Sequence, residues 1–435
     1  MRQAELLQSN NSETQEREVA INQYLAGEKV TAICRQMGRS RTWFYKALSR
    51  YRQGGRAALV TQSRRPHSHP NQTDEAVEAA IVRIRKAIAG GEDPVLRYGN
   101  IGAETIASEL EKTGLIPPSI TTINRILRKH GLQQPRVKRG KKRKLPQDYP
   151  WPCVTEPNQL HLLDFVTRTT GTIRRVYGCN LLDQVRQLPF MRLTSAKSRL
   201  NVVDFMVGAW QEVGLPNALY IDNDTVWRGS SFGKRSFSFI VRLCLLLGIE
   251  VIFTPPYTPE ANPLIESFNG IWDRNFWRRT SFDSLQHMET ELPHFETWCR
   301  ERRPLPGRNR RSPIQLYPDF IPVCLPDDFS QHQLPSLPLT EGFVHFIRFI
   351  DPTGNFSLLN EQWILDTNSS MVQTIRATID TAQQKLSVFH QPNPNTVPVV
   401  IGQFSYRLTE NVQPLSPKFQ RAYYPLWPVS ELFNC

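Results

Sequence analysis

The spacing of apolar residues divides the chain into a helical first third and a strand-rich remainder. Between residues 15 and 54, apolar side chains recur at helical intervals in three short runs, which Gly27 and Gly38 separate. Ser40 is a candidate N-cap for the third run, whose polar face is basic. This pattern predicts a helix-turn-helix DNA-binding domain over residues 1–60, with the third helix entering the major groove. A small three-helix bundle with a solvated basic surface fits the same pattern.

A second set of helical runs follows at residues 73–89, 103–112 and 119–130. Because the arrangement repeats, we expect a second helix-turn-helix domain over residues 71–134, so that the two domains contact DNA in tandem. The side chains predicted to contact DNA are basic or polar and lie on the helices or on the segment between the domains: Arg39, Arg41, Thr42, Tyr45, Lys46, Arg50, Arg64, Arg65, Arg125, Arg128 and Lys129.

Strand-like runs replace the helical pattern from about residue 155. The runs predicted as strands are 159–167, 176–182, 188–193, 218–221 and 250–254, and the predicted helices are 196–213, 232–247 and one that begins near Pro263. Three strands followed by alternating helices and strands favour a mixed sheet with helices on both faces. We therefore predict an α/β core over residues 151–300.

The last third of the chain changes pattern twice. Proline recurs between residues 301 and 340, which predicts an extended linker. From residue 341 onward, short strand-like runs separated by turn signals predict a small antiparallel β-barrel over residues 341–410 and a tail over residues 411–435. The expected fold is therefore multidomain, with an all-α N-terminal part, an α/β core and a small all-β C-terminal barrel.

The charge of the chain is concentrated where the helical pattern lies. The 435 residues carry a formal net charge of +13, and residues 1–150 alone hold 27 Lys and Arg against 14 Asp and Glu. A polyanion-binding module attached to a neutral remainder fits this distribution. Residues 135–150 are predicted to be a basic linker that lies along phosphates, through Lys138, Arg139, Lys141, Lys142, Arg143 and Lys144.

Composition sets several classes of protein aside. No run of about 18 apolar residues occurs, so we expect no membrane span. The polar stretch from Met1 to Glu18 is unlike a secretory signal. The seven cysteines are scattered and never form a Cys-x-x-Cys pair, which disfavours a disulfide scaffold or a zinc ribbon and favours a reducing compartment. The expected location is cytoplasmic.

Three carboxylates stand out by their positions. Asp164 lies inside an apolar strand run, where a carboxylate is costly to bury unless it meets a partner. Asp222 follows the apolar run 218–221, at the carboxyl end of a strand, where α/β sheets bind ligands. Glu266 lies near the start of a helix. Carboxylate oxygens are the ligands that Mg²⁺ prefers, so these acids are candidates to hold divalent cations, although their spacing alone fits many other choices of acid.

Three motifs carry a resemblance to a known family. The runs QLHLLDFVT at 159–167, YIDND at 220–224 and YTPEANPLIESFNGIW at 257–272 resemble the catalytic core of DDE transposases and integrases, which has the ribonuclease-H-like fold of retroviral integrases. The last motif is the most specific, because its residues fall where bacterial insertion-sequence transposases carry theirs: Tyr257, Pro259, Asn262, Pro263, Ile265, Glu266, Phe268 and Asn269. The resemblance extends to the paired helix-turn-helix units and the C-terminal barrel.

The resemblance implies a function and a site. Asp164, Asp222 and Glu266 correspond to the family's catalytic, metal-binding triad, supported by Asn223 and Asn269. The implied activity is that of a transposase, which binds terminal inverted repeats, nicks the ends and joins the 3′-hydroxyl to target DNA with two Mg²⁺ or Mn²⁺ ions. The implied partners are transposon ends, target DNA and further copies of the chain in a bacterial nucleoid, with no membrane; accessory proteins are compatible with this scheme.

One position departs from the family pattern. The family usually places Gly after the Asp-Asn pair, whereas Asp224 follows Asp222 and Asn223 here. Asp accepts left-handed backbone geometry better than most residues, and Asp224 is also an alternative ligand to Asp222. The departure keeps open a catalytically silent, transposase-derived DNA-binding protein that acts as a regulator or scaffold. A simple nuclease with the same fold is a third hypothesis.

Overall fold

The computed structural model describes residues 2–60, 72–133, 144–169, 175–228, 235–329, 337–365, 372–416, 421–422 and 425–428. The chain divides into two compact units, Met1–Gln72 and Thr73–Cys435. Of the helices in the described ranges, none combines the length and the apolar character needed to cross a membrane.

The first unit contains the three helices expected from the sequence. They are α1 (Arg2–Leu25), α2 (Val30–Gln36) and α3 (Arg41–Gly54). The Ser40 side chain accepts a hydrogen bond of 3.2 Å from the Trp43 backbone N–H, so the predicted N-cap of α3 is confirmed. Buried Ile21, Ile33 and Phe44, one from each helix, form part of a single core.

The second unit is built on a mixed α/β sheet. Its first five strands are β1 (Leu160–Arg168), β2 (Val176–Asp183), β3 (Pro189–Thr194), β4 (Ala218–Ile221) and β5 (Glu250–Phe253). They lie in the order β3-β2-β1-β4-β5, with β1, β2 and β3 antiparallel and with β4 and β5 parallel to β1. The predicted ribonuclease-H-like α/β core is thereby confirmed.

Helices cover both faces of this sheet. They are α7 (Arg199–Glu212), the single turn α8 (Thr225–Arg228), α9 (Phe239–Leu246), α10 (Pro263–Trp272) and α11 (Leu285–Thr297). Leu163 and Leu219 pack with α7 and α9 in one apolar cluster, whereas Leu162 and Tyr220 pack with α10 and α11 in another. Alternate residues of each strand therefore supply the two faces. The sequence pattern did not predict α8 or α11.

The second set of predicted helices is present and is packed into the same unit as the core. These helices, α4 (Glu75–Gly90), α5 (Ala103–Lys112) and α6 (Ile120–Lys129), enclose an apolar cluster of their own. The Tyr98 hydroxyl donates a hydrogen bond of 2.6 Å to Glu291 on α11, and Asn275 donates one of 2.9 Å to the Tyr98 carbonyl. The aromatic ring of Tyr98 is fully buried against Phe276. Helical periodicity does not predict the contact between Tyr98 and α11, because Tyr98 lies in the segment between α4 and α5.

The C-terminal strands differ from the separate barrel that the sequence pattern predicts. The region is rich in strands, as expected: β6 (Leu339–Thr340), β7 (Phe343–Phe349), β8 (Asn355–Leu358), β9 (Glu361–Ile364), β10 (Thr374–Asp380), β11 (Lys385–His390), β12 (Val399–Ser405) and β13 (Val412–Gln413). However, β7 pairs in parallel with β5, and β10, β11 and β12 follow it, so that one nine-stranded sheet spans core and C-terminal region.

The burial of β7 explains why the strands join the core. Val344 and Phe346 lie in the cluster on one face of the sheet, and Ile347 lies in the cluster on the other. A strand that is apolar on both faces belongs in the middle of a sheet rather than at the wall of a small barrel. The proline-rich segment 301–340 is likewise no free linker, because the Leu325 backbone N–H donates 3.1 Å to the Trp210 carbonyl on α7.

We expect Gly178→Val to weaken the contact between α10 and the sheet. A Cβ atom at Gly178 would lie 2.9 Å from the buried Trp272 ring of α10, which is closer than real Cβ contacts allow. The expected loss is about 1–3 kcal/mol in the free energy of unfolding, measured by urea denaturation of the full chain. Gly307→Ala is the matched control, since no atom lies within 4 Å of its added Cβ. Equal stability of the two variants would contradict this packing.

Candidate active site and DNA-binding surface

Three carboxylates that are far apart in the sequence line one cleft. Asp164 lies on β1, Asp222 directly after β4, and Glu266 in the first turn of α10, and the cleft they line has a volume of about 610 Å³. The fold brings the first two together because β1 and β4 are parallel neighbours in which Leu162 pairs with Tyr220. Two residues further along each strand, Asp164 and Asp222 lie on the same face.

The cleft disfavours negative charge on its acids. Burial raises the pKa of Asp164 to about 7, and the nearby charges of Asp222 and Glu266 act in the same direction. Partial burial also raises the pKa of Asp222, whose side chain still reaches solvent, and the charge of Asp224 adds to the effect. Like charges in a partly desolvated site are the arrangement that a bound cation relieves.

Hydrogen bonds fix the orientation of Asp164. Its Oδ1 accepts 2.7 Å from the Phe165 backbone N–H, and its Oδ2 accepts 2.7 Å from Asn269 Nδ2. Asn180, which lies opposite Asp164 on β2, donates 2.6 Å to Asn269 Oδ1. The motif around Glu266 predicts Asn269 as a supporting residue, whereas the part played by Asn180 is visible only in the structure. The available signal was a polar residue inside the otherwise apolar strand run 176–182.

Asp224 has a structural role at the start of α8. Its carboxylate lies 2.9 Å from Lys197 Nζ and accepts 3.1 Å from the Val226 backbone N–H. Burial would raise the pKa of Asp224, but the hydrogen bonds from Lys197 and Val226 outweigh it and hold the pKa below its ordinary value. The backbone at Asp224 does not adopt the left-handed conformation, so this turn does not require glycine.

Asn223 lines the same cleft, and hydrogen bonds to neighbouring segments engage its side-chain amide. Its Nδ2 donates to the Thr254 carbonyl, and its Oδ1 accepts 2.9 Å from Arg348 Nη2. Both ends of the amide are therefore occupied by neighbouring strands. In the residues that the structure describes, no three His, Cys, Asp or Glu side chains are grouped so that they could hold a metal ion as they are placed.

The predicted DNA contacts of the first unit lie on the outer face of α3. Arg41, Thr42, Tyr45 and Lys46 line a shallow groove, and Arg50 on the same helix is exposed. Arg39, just before the helix, pairs with Glu16 at 2.6 Å between Nη2 and Oε2. The exposed face of α3 is thus basic and polar, which is the composition that contacts with DNA need.

The predicted contacts of the second helical set are only partly free. Arg125 and Arg128 on α6 are exposed. Lys129 is also exposed, but its Nζ lies 2.6 Å from Glu78 on α4. The negative charge of Glu78 weakens the attraction of Lys129 for a DNA phosphate. Lys144 is exposed. The remaining predicted contacts lie outside the described residues: Arg64, Arg65, Lys138, Arg139, Lys141, Lys142 and Arg143.

We expect Asp164→Asn to stabilise the metal-free chain at alkaline pH. Because the folded state raises the pKa of Asp164 from its ordinary value to about 7, it retains a proton that the unfolded chain releases, and stability falls as the pH rises between these two values. Asparagine cannot ionise. The free energy of unfolding of the variant should exceed that of the parent by about 2 kcal/mol near pH 8, a figure reduced to allow for the partial exposure of Asp164, and should equal it near pH 4. Urea denaturation in the presence of a chelator measures this difference.

Asp183→Asn serves as the control. Asp183 is fully buried and accepts a hydrogen bond of 3.1 Å from Arg186 Nε, so losing its charge should destabilise the chain. A stability difference between Asp164→Asn and the parent that does not change with pH would contradict the raised pKa.

Comparison with known proteins first identifies the helix-turn-helix region. The winged helix-turn helix family matches residues 19–79. Protein YlbG of Escherichia coli (strain K12) is 33% identical over 86 residues, which are 20% of this chain and 62% of the relative. The uncharacterized protein YlbG of Shigella dysenteriae serotype 1 (strain Sd197) matches to the same extent. The chain therefore spans less than two thirds of the length of the curated relatives it matches.

Solved structures of retroviral integrases are also similar to this chain. A chain in the structure of the simian T-cell lymphotropic virus intasome in complex with PP2A regulatory subunit B56 gamma has 14% identity and a TM-score of 0.33, over 71% of this chain and 97% of that chain. The HTLV-2 integrase catalytic core domain in complex with magnesium has 13% identity and a TM-score of 0.29, over 37% and 96%. The match of residues 19–79 to the winged helix-turn helix family accords with the helix-turn-helix region predicted near the start of the chain.

Proposed function

We propose that this chain is a DNA transposase of the DDE type. It would bind the terminal inverted repeats of a mobile element, nick the ends and join the 3′-hydroxyl to target DNA by metal-dependent transesterification. The observation that carries the proposal is that Asp164, Asp222 and Glu266, each in a motif resembling this family, line one cleft. A winged helix-turn-helix segment in the same chain supports action on DNA.

The donor set of the cleft fits divalent cations. Three carboxylates offer the hard oxygen ligands that Mg²⁺ and Mn²⁺ prefer. The pKa of Asp164 is raised by burial first and then by repulsion from Asp222 and Glu266, and a bound cation would offset both effects. Asp164, Asp222 and Glu266 would hold two ions. When bound, the ions supply electrostatic stabilisation of the attacking and leaving oxygens in an in-line phosphoryl transfer.

The chain's own residues would orient the carboxylates of the cleft and bind the DNA. Asn269 and the Phe165 N–H hold both oxygens of Asp164, so that its carboxylate is oriented before DNA arrives. Lys197, 2.9 Å from Asp224, places a positive charge beside the cleft that lowers the cost of ionising Asp222. No side chain needs to form a covalent bond to DNA in this scheme. The exposed face of α3 would select the transposon end through base and phosphate contacts.

The proposed reaction also implies partners. Joining two DNA ends to one target requires two active sites, so we propose that the chain acts as a homo-oligomer on DNA. Its place in the cell would be the bacterial nucleoid.

A second candidate is a catalytically silent DNA-binding protein descended from a transposase. One observation favours it, because the three acids of the cleft do not form a metal-holding group as they are placed. This candidate predicts DNA binding through α3 without cleavage by the unmodified chain. A nuclease of the same fold would cut DNA without joining it.

Alanine at Asp164, Asp222 or Glu266 should abolish cleavage and strand transfer while DNA affinity stays within about twofold of the parent. The physical reason is that each substitution removes a carboxylate from the cleft but none alters α3. The assay uses duplexes carrying the inverted repeats that flank the coding region, with Mg²⁺ or Mn²⁺. Asp319→Ala, an exposed acid away from the cleft, is the control. Full activity in all three variants, or no activity in the parent, would refute the proposal.

Arg41→Gln should weaken DNA binding more at low salt than at high salt. If Arg41 contacts a phosphate, its loss reduces the slope of log affinity against log salt by about 0.9. Fluorescence anisotropy on a labelled inverted repeat measures this slope. Arg407→Gln removes one exposed positive charge from the C-terminal region and should leave the slope unchanged. Identical slopes for the two variants would show that Arg41 does not contact a DNA phosphate.

A further inference from the structure

Arg348 reaches from the C-terminal strands to the edge of the acidic cleft. It lies on β7 and is only 6% exposed. Its Nη2 donates 2.9 Å to Asn223 Oδ1, its Nη1 donates 3.1 Å to the Thr254 carbonyl, and its Nε donates 3.2 Å to the Ser357 carbonyl. The planar guanidinium, with its fixed fork of donors, is suited to holding several acceptors at once.

The two acceptors nearest the cleft belong to the segments that carry the candidate site. Asn223 stands between Asp222 and Asp224 in the chain. Thr254 follows β5 and begins the loop 254–262 that lines the cleft and leads into α10. Asn223 Nδ2 donates to the same Thr254 carbonyl that Arg348 contacts, so the three groups form a closed set.

Packing beneath this set restricts its movement. Phe253, the last residue of β5, stacks on Phe346 of β7 with ring centroids 4.9 Å apart and an angle of 7° between the planes. The Arg348 guanidinium lies 5.1 Å from the centroid of the same Phe346 ring. The pairing of β7 with β5 therefore fixes both the root of the loop and the origin of the arginine side chain.

We propose that Arg348 is a positioning residue that orients Asp222 through Asn223, so that the C-terminal strands help to shape the metal-binding cleft. The proposal rests on the proposed function, since it takes Asp222 to be a metal ligand. Residues that hold a ligand through hydrogen bonds change metal affinity without touching the metal. The same contacts give the Asn223 side chain, which lines the cleft without a carboxylate, a role in holding the segment that carries Asp222.

Titration of the full chain with Mn²⁺, measured by isothermal titration calorimetry, tests this role without DNA. Arg348→Met keeps a long apolar side chain but removes all the donors, and it should weaken Mn²⁺ binding by about tenfold. Arg348→Lys retains the positive charge and a hydrogen-bond donor at the end of a long side chain, so it should recover part of the Mn²⁺ affinity. Arg376→Met is the matched control, because Arg376 is a buried arginine on the neighbouring strand β10 that stacks on Trp427 at 3.9 Å. The control should lose stability but bind Mn²⁺ normally.

A double-mutant cycle distinguishes positioning from a general loss of packing. If Arg348 acts through Asn223, Asn223→Ala combined with Arg348→Met should bind Mn²⁺ no more weakly than the worse single variant. Additive losses would overturn the proposed route. Asn223→Ala is also the more conservative variant, and it carries the test if Arg348→Met does not fold.

Amide hydrogen exchange supplies a readout that is independent of metal and activity. Exchange over residues 222–226 and 254–258 should rise in Arg348→Met and stay at the parent level in Arg376→Met. Unchanged exchange in Arg348→Met overturns the positioning role, whether or not the chain binds metal. A parent chain that neither binds Mn²⁺ nor cuts DNA, but whose exchange responds as expected, refutes the proposed function while the contact between Arg348 and the cleft stands.

Discussion

The structure of the site depends on one constraint, which is that two carboxylates are carried by adjacent parallel strands, one within β1 and the other directly after β4. The register of β1 and β4 places Asp164 and Asp222 on the same face, and Glu266 adds a third acid from α10. Burial, together with the smaller effect of their mutual repulsion, raises the pKa of Asp164 to about 7. Hydrogen bonds from Asn269 and the Phe165 backbone N–H hold Asp164, and Lys197 offsets part of the negative charge.

The contacts around the cleft come from several elements of the second unit. Asn180 and Asn269, from β2 and α10, orient Asp164, and Lys197 offsets the charge next to Asp222. Arg348 arrives from the C-terminal strands, and its contacts with Asn223 and Thr254 require β7 to pair with β5. The continuous nine-stranded sheet is therefore more than an extension of the core, because it sets the positions of the segments on either side of the cleft.

The sequence was informative where a local pattern sufficed. Ser40 was recognisable as the cap of α3, because N-capping depends on the residues next to it. The motif around Glu266 identified α10 and Asn269. The pairing of β7 with β5 was not predictable, since register between distant strands depends on burial of both faces, and the sequence run 343–350 alone also fits a barrel strand. Asn180 and Arg348 were missed for the same reason: their roles arise only when strands far apart in the sequence lie side by side.

The distribution of charge follows from the same constraint. A cleft with three carboxylates repels the phosphates of DNA, so a chain that acts on DNA there must attract it elsewhere and neutralise the cleft locally. The net charge of +13 lies within residues 1–150, which include the exposed basic face of α3. Lys197 is committed to Asp224 and cannot offset all three acids. Under the proposed function, binding of DNA at the acids themselves would demand added positive charge, which is the physical reason that divalent cations and a separate basic module would belong to the same mechanism.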